Sequence, residues 1–195
     1  MTKPNILVLA GSTRKESVNR KLARQAVEAL RAAGADAHFA DLRDYPLPLY
    51  DGDLEESDGR PAAAVALKEM ARQAEGIVIA SPEHNGSYPA VLKNAIDWMS
   101  RPDPGERHLE VFRGKVAGIV SASPSAYGGA RGLKQLRELL EMIGIDVVPK
   151  QLGIGNAAEA FDAEGRLLRP EDIGGLEAVA ASVVHTVSEK LDVAA

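Results

Sequence analysis

Cysteine is absent from the 195 residues of the sequence. Its absence excludes disulfides, thiolate metal sites and cysteine nucleophiles, and it gives no indication of an oxidising compartment. A long hydrophobic run is also missing, because the apolar stretch at residues 6–10 is too short for a signal-peptide core or a membrane span. We therefore expect a cytoplasmic protein without a membrane segment.

A concentrated basic surface is lacking as well. The formal net charge is -5 at pH 7, and acidic and basic residues are mixed along the chain. Binding to a phosphate backbone requires clustered positive charge, so nucleic acid is not an expected partner. Because 45% of the residues are apolar and no internal repeat is visible, residues 1–195 are expected to form a single domain with a substantial core.

Short apolar runs alternate with segments of helical periodicity. Strands are predicted at residues 6–10, 37–40, 76–80 and 116–120, with a fifth between 145 and 154. Helices are predicted at residues 18–34, 65–71, 89–100, 132–143 and 173–191. This alternation predicts an α/β fold, with an open, doubly wound parallel sheet covered by helices on both faces.

Two segments depart from the alternation. Residues 42–60 are rich in proline, glycine and acidic residues, which favours a solvated surface loop over a functional lid. Residues 161–168 contain two short runs around Glu164 and Gly165, which predict a small hairpin before the last helix.

The loops after the first, third and fourth strands are unusually rich in hydroxyl, amide and glycine residues. They are GSTRKESVN at 11–19, SPEHNGSYP at 81–89 and SASPSAYGGARG at 121–132. In a sheet of order 2-1-3-4-5 these loops are neighbours at the carboxyl edge, where open α/β sheets bind ligands. Each loop also leads into a helix whose first N–H groups lack intrahelical partners. One shared polar ligand site is predicted.

The first loop lacks two common phosphate-binding signatures. Gly11 is the only glycine before Gly34, which excludes a dinucleotide G-x-G-x-x-G motif, and Lys15 does not follow a glycine as in a P-loop. The remaining polar groups are those of Ser12, Thr13, Arg14, Ser17 and Asn19. They suit a terminal phosphate monoester at a helix N-terminus. An equally weighted alternative is that Ser17 only caps the helix and the other groups face water.

The second loop combines a stiff backbone with polar side chains. Pro82 and Pro89 restrict its ends. Its central residues are Glu83, His84, Asn85 and Gly86. Successive amides of this kind suit the edge of a planar heterocycle, although the residues alone identify no particular ring. In the third loop, Gly128 and Gly129 either let the main chain approach the same ligand or form an ordinary flexible turn.

These segments resemble the NADPH-dependent FMN reductase family of flavodoxin-like proteins, which also contains quinone, azo and chromate reductases. The resemblance is carried, in family order, by GSTRKESVNRKLA, LPLYDGDL, SPEHNGSYPAVLKNAIDWMSRP, SASPSAYGGARGLKQLR and FDAEGRL. It implies a three-layer flavodoxin-like fold, noncovalent FMN, NADPH or NADH as cosubstrate, and a homodimer or homotetramer. The sequence departs from the family pattern at two places. His84 stands where many relatives carry tyrosine, and residues 124–127 would alter access to the flavin ring.

The resemblance also implies the residues of the FMN site. The phosphate would be held by Ser12, Arg14, Ser17 and Asn19. The isoalloxazine would be bordered by Pro82, Glu83, His84, Asn85 and Gly86 on one side and by Ser121, Ser123 and Gly128 on the other. Since the flavin itself accepts the hydride, no catalytic side chain is predicted. No metal site is expected either, because His38, His108 and His185 show no ligand spacing.

The predicted function is that of an FMN-dependent NAD(P)H oxidoreductase passing electrons to flavin, quinone or another small acceptor. One alternative is a flavodoxin-type electron carrier without direct NAD(P)H turnover, although aromatic residues, which usually enclose the flavin in such carriers, make up only 4% of the chain. A flavin-free protein of the same fold is a third interpretation.

Two further features remain open from the sequence. Arg101, Arg107 and Arg113 are candidates for the phosphates of NADPH. The apolar residues of the helix at 89–100 mark either a subunit interface or the core of one subunit.

Overall fold

The sheet has the predicted topology. A computed structural model describes residues 3–194. Its strands are Asn5–Ala10 (β1), Asp36–Ala40 (β2), Gly76–Ala80 (β3), Val116–Ala122 (β4) and Asp146–Ile154 (β5). Adjacent strands all pair in parallel, in the order β2-β1-β3-β4-β5. The predicted flavodoxin-like α/β fold is confirmed.

Helices cover both faces of this sheet. Within the described residues they are Val18–Ala32 (α1), Gly52–Asp58 (α2), Ala62–Gln73 (α3), Ala90–Met99 (α4), Ala130–Met142 (α5) and Pro170–Ala194 (α6), with a short 3-10 helix at Ala157–Glu159. Helices α1 and α6 pack on one face, and α3, α4 and α5 pack on the other. In the part of the chain that the structure describes, no helix is both long and apolar enough to cross a membrane.

Strand β1, which lies between β2 and β3, shows how the core is divided. Ile6 and Val8 are buried with residues of α1 and α6, whereas Leu7 and Leu9 are buried with residues of α3, α4 and α5. This two-residue alternation follows from the pleat of a strand, and each fully buried aliphatic side chain contributes about 1.5–3 kcal/mol. From Ile6 to Ala10 the strand therefore has no polar position, as its apolar sequence predicts.

Residues 42–60 lie at the surface and are mostly exposed, as predicted, but they are not simply a loop. The segment contains α2, and its extended part is docked on α4 by hydrogen bonds to backbone groups. The carbonyl of Pro48 accepts from Asn94 Nδ2 and Trp98 Nε1, both at 2.8 Å, and Tyr50 N donates to Asn94 Oδ1 at 2.8 Å. Because α4 supplies these partners, the segment is held to the protein despite its polar composition.

The apolar residues of α4 belong to the core of this chain. Ile96, Trp98 and Met99 are all buried, and the Trp98 ring meets Tyr50 edge-on with 5.0 Å between centroids. Of the two interpretations of this helix, the structure therefore favours the core over a subunit interface formed by these side chains.

The predicted hairpin at residues 161–168 is confirmed. Phe161 forms an antiparallel bridge with Leu167, and Asp162 N donates to Arg166 O at 2.9 Å. Strand β4, by contrast, continues to Ala122, two residues beyond its predicted end. Ser121 consequently lies in the sheet rather than in the loop that follows it.

Candidate functional site

The three polar loops lie side by side at the carboxyl edge of the sheet, because β1, β3 and β4 are adjacent. Gly11 N donates to Ala80 O and Ser81 N donates to Val120 O, each at 2.9 Å, which keeps the first residues of the loops in register. A cleft of about 270 Å³ opens between the loops. The predicted site residues that line it are Ser12, Arg14, Ser17, Asn19, Pro82, Glu83, His84 and Ser123.

Four predicted site residues lie next to the cleft without lining it. Asn85 and Gly86 form the turn of the second loop, Ser121 is buried in β4, and Gly128 packs against the backbone of Gly153. Their backbone conformation and packing support the loops that form the cleft.

The hydroxyl of Ser17 is not used to cap α1. Ser17 occupies the N-cap position with extended dihedral angles (φ -72°, ψ 125°), yet its side chain makes no capping hydrogen bond. The N–H groups of Val18 and Asn19 precede the first intrahelical bond, which Arg20 N donates to Ser17 O. A hydroxyl and a helix N-terminus thus both face the cleft, which favours an anion over the simple capping interpretation.

Asn19 joins two elements of the site. Its Nδ2 donates to Ala122 O at 2.7 Å and its Oδ1 accepts from Ala122 N at 2.9 Å, and the residue is only 1% exposed. The side chain therefore ties the first turn of α1 to the end of β4. One N–H of the Asn19 amide takes no part in these two hydrogen bonds. Because the other polar groups of the side chain bond to Ala122, the main role of Asn19 is to position the first and third loops relative to each other.

An ion pair not anticipated from the sequence supports the first loop. The guanidinium of Arg20 donates from Nε to Asp41 Oδ2 at 2.8 Å and from Nη1 to Lys15 O at 2.6 Å. Arg20 and Asp41 are both buried, and removing one partner of such a pair typically costs about 3–5 kcal/mol. The pair fixes the backbone of the first loop to the chain that follows β2. Its only sequence signal was an acidic residue directly after a strand.

The second loop contains a tight type I′ turn at residues 84–87. Asn85 and Gly86 have positive φ angles of 52° and 79°, and the N–H and carbonyl of His84 both bond to Ser87, at 2.9 and 3.1 Å. Asn-Gly is the sequence that this turn prefers, since both central residues must be left-handed. The backbone of His84 is therefore committed to the turn, and its side chain is exposed at the cleft.

Glu83 connects the second loop to the third. Its Oε2 accepts from Arg131 N and Gly132 N, each at 3.0 Å. Helix α5 begins after Gly129, which has no side chain to cap it, and no acidic residue lies in its first turn. The carboxylate of Glu83 takes that role, because it pairs two unsatisfied amides and opposes the positive end of the helix.

Ser121 and Gly129 meet beneath the third loop. Gly129 has φ +80°, and a Cβ there would lie 2.1 Å from Ser121 Oγ, so only glycine fits. Ser121 is fully buried, and among residues 3–194 its Oγ is the one buried side-chain oxygen or nitrogen without a hydrogen-bond partner. An orphaned hydroxyl beside a polar cleft fits a site that a bound polar ligand completes.

The three arginines singled out from the sequence are not equivalent. Arg101 Nε bonds to Glu55 at 2.7 Å, and Arg107 Nε lies 3.5 Å from Glu110. Arg113 lines a second cavity, of about 270 Å³, next to the first residue of β4 and hence at the opposite edge of the sheet. Arg113 therefore lies away from the cleft between the three loops.

A 2-1-3-4-5 parallel sheet, with a polar first loop at a helix N-terminus and a polar cleft at its carboxyl edge, defines a flavodoxin-like class of protein. Comparison with known sequences narrows the class, since a sequence model described as NADPH-dependent FMN reductase matches residues 4–159. The chain belongs to the NADPH-dependent FMN reductase family.

Individual relatives agree with this assignment. The chain is 37% identical over 164 residues to an NAD(P)H-dependent FMN reductase of Pseudomonas aeruginosa, covering 84% of each sequence. It is 37% identical over 158 residues to a quinone reductase of Escherichia coli strain K12, covering 80% of each. Among solved structures, the flavoenzyme NAD(P)H:(acceptor) oxidoreductase of Paracoccus denitrificans superposes with a TM-score of 0.81 at 27% identity, covering 95% of this chain and 98% of that one.

These comparisons confirm the predicted family, the oxidoreductase class, and FMN and NAD(P)H as cofactor and cosubstrate. The names of the relatives do not favour the alternative of a flavodoxin-type electron carrier, since they describe reductases and oxidoreductases.

Proposed function

We propose that this protein is an FMN-dependent NAD(P)H oxidoreductase that delivers electrons to a quinone or another small acceptor. The observation that carries the proposal is the cleft between the three loops, which combines a helix N-terminus with serine hydroxyls in a member of the FMN reductase family. Bound FMN supplies the redox chemistry, accepting a hydride from the nicotinamide and passing electrons on. The protein supplies binding, orientation and exclusion of water.

We assign the FMN site to the residues predicted from the sequence. They are Ser12, Arg14, Ser17, Asn19, Pro82, Glu83, His84, Asn85, Gly86, Ser121, Ser123 and Gly128. The hydroxyls of the first loop and the start of α1 suit the phosphate, since hydrogen bonds to a charged group contribute about 1.5–3 kcal/mol each. The second and third loops would border the ring. In this assignment Asn19 and Glu83 hold the loops in position rather than acting on the substrate.

We further propose that the chain is a single domain that works in the cytoplasm as a homodimer or homotetramer. Both core clusters share one sheet, which supports a single domain. The use of reduced nicotinamide supports the location, and the family resemblance supports the assembly. Size-exclusion chromatography with light scattering of the FMN-loaded protein measures the assembly directly. A monomer at micromolar concentration would contradict the proposal.

The function is tested by anaerobic absorbance spectroscopy. The protein is saturated with FMN, separated from free flavin, and mixed with NADPH or NADH, while the oxidised flavin band at about 450 nm is recorded. We expect the band to bleach and to return when a quinone is added. Bound flavin that neither nucleotide bleaches would reject the reductase in favour of an electron carrier, and a protein that binds no FMN would reject both.

A further inference from the structure

A second cavity lies at the amino edge of the sheet, on the far side from the cleft. It has a volume of about 270 Å³ and is lined by the end of α3, the residues that lead into β3 and β4, and the last turns of α6. It shares no lining residue with the cleft between the three loops. A ligand held there would therefore be distinct from the proposed FMN.

Positively charged side chains from three parts of the fold line this cavity. They are Arg72 from α3, Arg113 and Lys115 from the segment before β4, and Lys190 from α6. The one acidic residue in the same wall is Glu75, whose Oε2 accepts from a backbone N–H at 2.7 Å. The lining residues therefore carry an excess of positive charge.

Two of the four cations have carboxylate partners. Arg72 and Lys190 form ion pairs with acidic residues that lie outside the cavity wall. Arg113 and Lys115 differ from them, because no carboxylate in residues 3–194 lies within ion-pair distance of either side chain. These two side chains supply the charge that an anion in the cavity would neutralise.

The guanidinium of Arg113 is only partly committed to the protein. Its Nε donates to the carbonyl of His108 at 3.2 Å, and neither Nη group has a hydrogen-bond partner among the described residues. The side chain is exposed. A guanidinium matches the oxygens of a phosphate or carboxylate in two-pronged hydrogen bonds, so the Nη groups remain available to an oxyanion.

The ammonium group of Lys115 is held beside the C-terminus of α3. Its Nζ donates to the carbonyl of Ala74 and lies 3.4 Å from that of Arg72. Burial lowers the pKa of Lys115 below its ordinary value of 10.5, the charge of Glu75 opposes this shift, and the charge of Arg72 adds to it. The positive charge of Lys115 is therefore incompletely compensated within the chain, and a bound anion would compensate it.

A phosphate group has the charge and the acceptor oxygens that this wall lacks. We propose that the cavity is a second anion site, in which Arg113 and Lys115 bind a phosphate group carried by inorganic phosphate or by a small phosphate monoester. Arg72 and Lys190 add positive potential from α3 and α6. Because the ligand binds only the folded chain, it stabilises the fold by mass action.

Calorimetry at low ionic strength tests the site. Inorganic phosphate and glycerol 3-phosphate are titrated separately into the FMN-loaded protein, in which the cleft is occupied. We expect saturable binding of one phosphate group per chain, with a dissociation constant of about 1 mM or lower. The probe that binds more tightly shows whether the free ion or an ester is the preferred ligand.

A matched pair of arginine variants locates the bound anion. Arg113→Gln is expected to weaken binding about tenfold, because hydrogen bonds from a charged group are lost. Arg107→Gln is the control, since Arg107 is exposed, pairs with Glu110 and does not line the cavity. Arg14→Gln should leave the affinity for the probes unchanged, because Arg14 lines the cleft.

Sulfate tests the role of Lys115, because the charge of sulfate does not change between about pH 7 and about pH 10. Its binding to the wild type should weaken as the pH rises through the lowered pKa of Lys115, whereas Lys115→Gln should bind weakly with little pH dependence. Glu75, Arg72, Arg113 and Lys190 face the same cavity. The arginines stay charged over this range, and Lys190→Gln should retain the pH dependence.

The inference is overturned if neither phosphate probe binds saturably up to about 10 mM, or if Arg107→Gln weakens binding as much as Arg113→Gln. Loss of probe binding in Arg14→Gln would place the anion in the cleft and would also overturn it. The same holds if sulfate binding follows one pH curve in the wild type and in Lys115→Gln. None of these measurements requires reduction of the flavin, so a failure of the proposed function leaves the test intact.

Discussion

Glu83 Oε2 lies 3.0 Å from the backbone nitrogen of Gly132, which is 49 residues later in the chain. A side chain of the second loop thus caps the helix that follows the third loop. The cap also brings the two loops against each other, since a Cβ at position 132 would lie 3.1 Å from Glu83 Cβ. The width of the cleft on this side therefore depends on one carboxylate.

Replacement of Glu83 is predicted to affect stability and cofactor binding together. Glu83→Ala leaves two helix amides without their acceptor, so we expect the free energy of unfolding to fall by about 0.5–2 kcal/mol and FMN to bind more weakly. Urea unfolding and flavin fluorescence titration measure the two effects. Glu138→Ala, which removes an exposed glutamate later in the same helix, is the control and should change neither. Equal behaviour of the two variants would show that the cap has no role.

Two residues of the first loop are predicted to act in different ways. Asn19→Ala leaves buried backbone groups of Ala122 unpaired, so the apoprotein should lose about 1–3 kcal/mol of stability. Ser12→Ala should change stability by less than about 0.5 kcal/mol while weakening FMN about tenfold or more. Unfolding of the apoprotein and flavin titration of both variants provide the comparison. A Ser12 variant with wild-type affinity for FMN would remove that residue from the site.

Ser121 is predicted to matter only when the ligand is bound. Ser121→Ala removes a buried hydroxyl that has no partner within the described chain, so the apoprotein should be as stable as the wild type or slightly more so. The increase in Tm on adding FMN should be smaller than in the wild type. Ser81→Ala is the control, because Ser81 Oγ already donates to Pro82 O at 3.1 Å and its loss should lower the Tm of the apoprotein. A destabilised Ser121→Ala apoprotein would contradict the prediction.

Stability is predicted to fall in acid through Glu106. Its hydrogen bond from Lys68, and then that from Arg72, lower the pKa of the Glu106 carboxyl below its ordinary value of 4.5. Because the folded pKa lies below the unfolded one, the stabilisation is complete above the unfolded pKa and is lost as the pH falls through the folded pKa. Urea unfolding between pH 7 and about pH 3 should show a weaker acid dependence in Glu106→Gln than in the wild type. Parallel pH curves for the two proteins would exclude this contribution.

The order of the helices and strands and the position of the cleft could be predicted from local patterns in the sequence. The run at 76–80 is apolar throughout and ends at a polar residue, and it forms a strand with those same bounds. The loops at 11–19, 81–89 and 121–132 meet because strand order alone makes them neighbours. Local composition was sufficient for these features, since periodicity and turn residues act over a few positions.

The contacts that hold the cleft in shape could not be predicted in this way. Asn19 bonds to a residue 103 positions away, and Arg20 pairs with Asp41 across 21 positions. Docking of the segment at 42–60 depended on Asn94 and Trp98, which lie on a different helix. No local pattern indicates such partners, because a polar side chain looks the same in a sequence whether it faces water or a distant backbone group.

The hydrogen bond from Trp98 to Pro48 makes the intrinsic tryptophan fluorescence of the protein sensitive to the position of the segment around Pro48. Trp98 is the single tryptophan of the sequence, it is fully buried, and its indole nitrogen is fixed to one carbonyl of the docked segment. If residues 47–50 detach from α4, the indole loses that partner and meets water. The emission spectrum of the unlabelled protein therefore records the docking of one segment, separately from the flavin signal that records the cleft.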